Sequence, residues 1–291
     1  MMKNSPRSIP RIQFHESDER TAHGFEIKRI EELFDIPADL DHDPFKAHRL
    51  AFFVIIFLES SYVKHEVDFE PLDLHKGQSL LLTKGQVHAF DVTRNYKGTF
   101  VLFTEEFLDQ HASQAALARF KRSFLTRTNV QAFDQSEHLQ TLLRLLTQSY
   151  ASSSSGNGQL KLGTLLTSLL LELCLQLPDQ DPITSQSDLF YQFLELHEQH
   201  FSDSRDANFF AAKLGVSYKH LNEISKAITG LTIKAYIDEQ LLLSAKRALV
   251  FGKQSAKEIA FELGFDEPSN FGKWFKKQSG FTPQQFRTMN G

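Results

Sequence analysis

The chain has 291 residues, 41% of them hydrophobic, with a single cysteine. That length and content support two ordinary cores, while the lone Cys174 excludes an intrachain disulfide framework and any zinc site built on several thiolates. The formal net charge of −4 is unevenly spread: 13 Lys/Arg stand against 11 Asp/Glu from Leu189 onward, and 19 against 25 before it. The C-terminal part is only mildly basic, so any nucleic-acid binding there has to rest on placed contacts rather than bulk charge.

Residues 1–20 open with MMKNSPRSIPRIQF, which has no apolar core of the kind a secretion signal needs, and the segment is expected to be a disordered tail. Residues 21–135 read as β-rich. Ala51 to Leu58 (AFFVIIFL) is a buried-strand pattern, too short to span a bilayer. Lys64 to Phe69 alternates, and Ser79 to Thr83 and Thr99 to Thr104 are further apolar runs. Pro71, Gly77, Gly85, Asn95 and Gly98 punctuate them. Short strands at this spacing predict a small antiparallel barrel or jelly roll.

Residues 136–178 carry two helical patterns, His138 to Tyr150 and the leucine-dense Leu160 to Leu177, joined by the polar loop ASSSSGNGQ from Ala151 to Gln159. Lys161 and Glu172 within the second pattern favour a packed helix over a membrane span. A leucine-rich helix outside a main core needs a partner, so this region is expected to dimerise. The alternative is that both helices pack onto their own chain. Cys174 sits in LLLELCLQL and reads as a packing residue rather than a reactive thiol. Residues 179–188, within PDQDPITSQSD, read as an interdomain linker.

Residues 189–291 hold one pattern twice. Asp206 to Lys226 (DANFFAAKLGVSYKHLNEISK) and Ser255 to Lys276 (SAKEIAFELGFDEPSNFGKWFK) each give a cap, a short amphipathic helix ending in Leu-Gly, a turn, and a second helix opening near a Ser. That is the helix-turn-helix, whose second helix can enter a DNA major groove. Ser255 and Glu258 form an S-x-x-E capping box, whereas Phe209 leaves the box of the first copy incomplete. Gly264 falls where the chain must leave a helix, Phe265 is expected to plug the core behind it, and Thr282-Pro283-Gln284-Gln285 opens a further helix. A helix over Thr232 to Val250 would span about 28 Å, close to one turn of DNA.

The run EIAFELGFDEPSNFGKWFKKQSGFTPQQFR, Glu258 to Arg287, resembles the C-terminal signature of the AraC/XylS family of bacterial transcription regulators, in its Ile-Ala, Gly-Phe, Ser-x-Phe, Phe-Lys, Gly-x-Thr-Pro and Phe-Arg elements. The resemblance reaches back to about Phe190. It implies two helix-turn-helix subdomains joined by a long helix and reading successive major-groove segments. Carried over residue by residue, the base-reading positions fall on Lys219, Asn222 and Glu223, then on Pro268, Ser269, Asn270 and Lys273. Asn suits adenine, Lys guanine, and Glu cytosine. Lys226, Lys276 and Lys277 suit phosphates, which position without specifying; the plain alternative for any of these lysines is a solvated helix face. Leu241 stands where the family's linker helix usually has Arg, so no role for that Arg is carried over.

Gly77 to His88 (GQSLLLTKGQVH) is similar to the second conserved motif of cupin barrels, with Thr83 where Pro is usual. A cupin-like domain ahead of the DNA-binding module is the usual AraC-family architecture. The expected fold class is therefore α+β in two domains: an N-terminal cupin-like β-barrel with flanking helices, and a C-terminal all-α double helix-turn-helix. His88 matches the cupin motif's histidine, but the first cupin motif is not recognisable and only His48 is on offer, so neither metal nor cofactor is expected. A barrel of this size can hold a small effector in its mouth, with Arg49, Phe53, Tyr62, His65, His88 and Phe90 as candidate lining residues; a barrel without ligand is the alternative. No catalytic constellation stands out. The reading is a cytoplasmic, non-enzymatic, sequence-specific transcription regulator with promoter DNA as partner, a second copy through residues 138–177, and RNA polymerase and an effector as further candidates. Its alternatives are a ligand-independent regulator controlled by abundance or a protein partner, and a cupin enzyme with a helical appendage.

Overall fold

The computed structural model describes residues 11–12, 14, 23–33, 47–60, 62–90, 96–124, 130–151, 156–177, 185–201, 204–252 and 254–290. The chain divides into two compact units, Pro10–Asp179 and a second that contains Gln180–Gly291.

Among the described residues the first unit has ten strands: β1 (Arg11–Ile12), β2 (Phe25–Arg29), β3 (His48–Leu50), β4 (Phe53–Leu58), β5 (Tyr62–Val67), β6 (Glu70–His75), β7 (Gln78–Leu82), β8 (Val87–Phe90), β9 (Gly98–Phe103) and β10 (Ala132–Asp134). They form two five-stranded sheets, ordered β1-β3-β8-β5-β6 and β10-β7-β4-β9-β2. All six residues of β4 are buried because the strand is central and covered on both faces. Phe53, Ile55 and Phe57 join the cluster under the helices, whereas Val54, Ile56 and Leu58 join the cluster between the sheets. A strand buried on both faces shows a continuous apolar run instead of alternation. β5 has one exposed face and does alternate, with Val63, His65 and Val67 inward.

The expected barrel is corrected to an open pair of sheets. No ladder joins them among the described residues, and β1, β6, β10 and β2 remain as edges. The chain switches sheets several times, among them at the turn Lys76–Gly77 between β6 and β7, where Gly77 takes a φ of +82°. Part of the expected tail is also structured: Arg11 and Ile12 pair in parallel with Arg49 and Leu50. The 179–184 part of the expected linker lies outside the described residues.

Among the described residues, four α-helices cover one sheet: α1 (Glu105–His111), α2 (Gln114–Phe124), α3 (Glu137–Ala151) and α4 (Gly156–Leu175). α4 starts inside the segment expected to be a loop. It is the one described helix long and apolar enough to cross a membrane, yet Leu162, Leu166, Leu169, Leu170 and Leu173 are buried in the core formed with the sheet and α1–α3. The leucine stripe is therefore satisfied largely within its own chain. Cys174 is 1% exposed, and burial pushes its thiol up.

The second unit is all-helical: α5 (Ser185–Gln199), α6 (Ala207–Lys213), α7 (Tyr218–Thr229), α8 (Ile233–Phe251), α9 (Ala256–Glu262), α10 (Pro268–Ser279) and α11 (Pro283–Asn290). Phe190 and Phe193 of α5, Phe210, Leu221, Ile224, Tyr236 and Ile237 make one core around α6 and α7. Ile259, Ala260, Phe265, Phe271, Phe275 and Phe286 are buried around α9–α11. The helix α8 packs against both groups.

Candidate nucleic-acid interface

The two motifs share a backbone frame. Asp206 caps α6 by accepting from the Asn208 N–H, and Ser255 caps α9 with the full reciprocal box to Glu258. After each short helix comes a glycine in the left-handed region, Gly215 at φ +68° and Gly264 at +73°, a conformation that a side chain rarely tolerates. The next residue then turns inward, with the Val216 N–H donating to Ala211 O and the Phe265 N–H to Ala260 O. Ser217 caps α7 through the His220 N–H, whereas α10 opens on Pro268 with no side-chain cap. Both second helices end on a left-handed glycine, Gly230 and Gly280.

Helical spacing then sorts the faces. Leu221 and Ile224 on α7, and Phe271 and Phe275 on α10, are buried. Lys219, Glu223 and Lys226 on α7 are exposed, as are Ser269, Asn270, Lys273, Lys276 and Lys277 on α10, with Pro268 half-buried. The two sets differ in what else they do. Asn222 is half-buried, and its Oδ1 accepts from the Ile233 N–H at 3.1 Å, so it caps α8 from the side. Lys219 lies 4.0 Å from Glu223. On α10, Ser269 donates to Glu267 at 3.1 Å, but the Asn270 and Lys273 side chains make no hydrogen bond or ion pair among the described residues.

Two arginines that sequence reasoning did not assign tie this unit together. Arg287 donates from Nε to Leu249 O at 2.7 Å and from Nη2 to Gln254 O, closing off the carbonyl end of α8. This gives a physical role to the Arg of the Phe-Arg element. Arg205, before α6, donates to Gly264 O at 2.9 Å, and its guanidinium carbon lies 3.9 Å from the Phe265 ring centre. Leu241 is 1% exposed, so the position where an Arg is usual belongs here to the core. His197 is buried among Phe193, Phe201 and Phe210, which pushes its pKa down to about 4.

In the first unit, the six candidate effector residues do not form one group. His65, His88 and Phe90 come together between the sheets, with ring centres of 5.2 Å for His65–His88 and 5.0 Å for His65–Phe90. Phe53 faces the helices, stacked on Phe103 at 5.2 Å. Tyr62 and Arg49 occupy the outward positions of β5 and β3, and Tyr62 donates to Asp73 at 2.6 Å. Their place is taken by His48 and Tyr96: the His48 ring lies 4.1 Å from that of His88, and Tyr96 packs on Phe90 at 5.0 Å. His88 Nδ1 and His65 Nε2 are 3.2 Å apart, and His65 Nδ1 and His88 Nε2 are buried without a hydrogen-bond partner among the described residues. Burial, aided by His48, holds His65 down to about 3 and His88 well below the usual imidazole range. No group of three or more ligating side chains suited to a metal occurs among the described residues.

Two capped helix-turn-helix frames, bridged by one helix and each presenting a polar second helix, define a DNA-binding transcription regulator. Residues 210–289 match a helix-turn-helix domain family. The chain is 23% identical over 255 residues to the transcriptional activator RhaS of Escherichia fergusonii, covering 85% of this chain and 89% of that one. It is 33% identical over 78 residues to the virulence regulon transcriptional activator VirF of Yersinia enterocolitica, 27% of this chain and 29% of that one. Among solved structures, ToxT from Vibrio cholerae O395 aligns over 92% of this chain and 100% of that one, with a TM-score of 0.47 and 12% identity. The C-terminal helix-turn-helix region of this chain is thus similar to that of AraC-type transcription regulators.

Proposed function

We propose that α7 and α10 enter successive major-groove segments on one face of promoter DNA, and that α10 carries most of the sequence reading. The observation behind this is the paired frame with an uncommitted polar face on α10, where the exposed Asn270 and Lys273 side chains make no hydrogen bond or ion pair among the described residues. Lys219, Glu223, Pro268 and Ser269 contribute around them. Lys226, Lys276 and Lys277 bind phosphates, and the last two also sit favourably at the negative end of α10. Asn222 serves first as the cap of α8.

In this reading the protein is cytoplasmic and non-enzymatic, acts near RNA polymerase, and works as a homodimer through residues 138–177. Leu145 and Leu160 support the dimer, being 42% and 57% exposed on α3 and α4. The Pro10–Asp179 unit senses a small molecule, and relative reorientation of the DNA-reading units alters which half-sites are reached together. Support comes from the histidine group: whichever tautomers His65 and His88 adopt, one N–H donor stays buried and unmatched, a cost that a polar ligand atom would remove. Selection from a random DNA pool by the full-length protein tests the main reading. An enriched motif with half-sites about one helical turn apart supports it; no enrichment, with residues 180–291 alone also failing, overturns it.

A further inference from the structure

The two helix-turn-helix units are joined covalently by α8, but α8 stops at Phe251, and the chain passes through the extended Gly252 before the Ser255 cap of α9. A non-helical joint of this kind permits rotation unless something else restrains it. Arg287 restrains it at the α8 end, through the carbonyls of Leu249 and Gln254. A second strap crosses directly between the motifs. Arg205 stands one residue before the Asp206 cap that opens the first motif, and is half-buried. Its guanidinium donates to the carbonyl of Gly264, the turn glycine of the second motif, and lies over the ring of Phe265.

Both targets are rigid. Gly264 is fixed in the left-handed conformation by the turn. Phe265 is 5% exposed and packs at 5.3 Å against both Phe271 and Trp274 of α10. Trp274, Arg205 and Tyr218, the first residue of α7, line one cleft. The strap therefore lies between the two second helices. A planar guanidinium can stack and donate at once, which an ammonium cannot reproduce.

We infer that Arg205 is a positioning residue that sets the angle and spacing between the two recognition helices, and hence the spacing of the two DNA segments one chain reads together. This rests on the reading above that both helices contact DNA. One inserted base pair turns the second segment by about 34° around the duplex axis, from 10–10.5 base pairs per turn. A strapped pair of helices cannot follow that rotation; an unstrapped pair can.

The experiment measures full-length wild type, Arg205→Met and Arg205→Lys on a selected site and on the same site with one base pair inserted between the segments. Wild type is expected to lose on the order of 100-fold on insertion, comparable with losing one or two bidentate base contacts. Arg205→Met is expected to bind the original site more weakly with the same base preferences, and to lose about tenfold or less on insertion; Arg205→Lys falls between. An insertion ratio in both variants equal to that of wild type overturns the inference, since a purely structural role lowers all affinities together. A DNA-free readout separates this from failure of the DNA reading. Spin labels at His220→Cys on α7 and Lys277→Cys on α10, with native Cys174 buried, should give a narrow distance distribution that broadens in the Arg205 variants. An unchanged width overturns the strap even if DNA binding is seen, and broadening supports it even if no site is selected.

Discussion

The first and second helix-turn-helix motifs have the same frame but use their polar residues differently. In the first, Asn222 turns its side chain back onto the α8 N-terminus, and Lys219 and Glu223 face each other. In the second, α9 is closed by a complete capping box, and α10 leaves Asn270 and Lys273 to solvent. A motif that must also anchor the bridging helix keeps fewer groups for DNA. In the function proposed above, the first copy is then mainly a positioning element and the second mainly a reader.

The comparison is broken most severely in the cores. Phe210→Ala in the first motif and Phe275→Ala in the second, both 0% exposed, should each cost about 3–5 kcal/mol and lower the midpoint of thermal unfolding of residues 180–291. A loss below about 1 kcal/mol from either, well under that range, would mean its motif is not a packed unit. Next comes Asn222→Ala, expected to cost about 0.5–2 kcal/mol of stability through the lost cap while leaving the selected DNA motif unchanged. A changed motif with unchanged stability would make Asn222 a reader and remove the asymmetry.

Acidification sharpens a second contrast, between the two units. His65 and His197 have folded pKa values, about 3 and about 4, below the ordinary imidazole value of 6.5. Their folded states bind fewer protons than their unfolded states below that value. Their stabilisation is complete above pH 6.5 and is lost as pH falls towards those values, at up to roughly 1.4 kcal/mol per pH unit and group. The Pro10–Asp179 unit holds both His65 and His88 in this condition, so between pH 6.5 and 5 it should lose stability more steeply than residues 180–291, and His65→Phe should flatten its profile. Equal slopes for the two units would contradict the burial of the histidine group. The smallest expected effects lie in the caps: Ser255→Ala loses the bond its Oγ accepts from the Glu258 N–H but keeps the bond from its own N–H to the Glu258 carboxylate, and Asp206→Ala loses the bonds it accepts from Asn208, so each should cost about 0.5–2 kcal/mol in thermal unfolding.

The second unit was readable in sequence because its determinants are local. A capping box spans four residues, a turn glycine and its plug are adjacent, and Thr282-Pro283 fixes a helix start; each was found at the expected residue. The role of Asn222 was hidden because its partner, Ile233, lies in the next helix. In the first unit the strong runs 51–58, 79–83 and 99–104 became β4, β7 and β9, but layering depends on pairing between distant residues. β2, β6 and β8 gave weak signals. The inward group was half missed because His48 is placed beside His88 only by the β3–β8 register, in which the two are direct partners. Phe53 was misplaced for the same reason: in a strand buried on both faces, hydrophobicity does not reveal which face a residue takes.

The most direct test of the division between reader and positioner is selection of DNA by full-length protein carrying Asn270→Ala together with Lys273→Ala, beside wild type. The account predicts that one segment of the selected motif keeps its base preferences while the other becomes degenerate, with thermal stability unchanged because both side chains are exposed. A selected motif identical to that of wild type would contradict the claim that α10 is the principal reader.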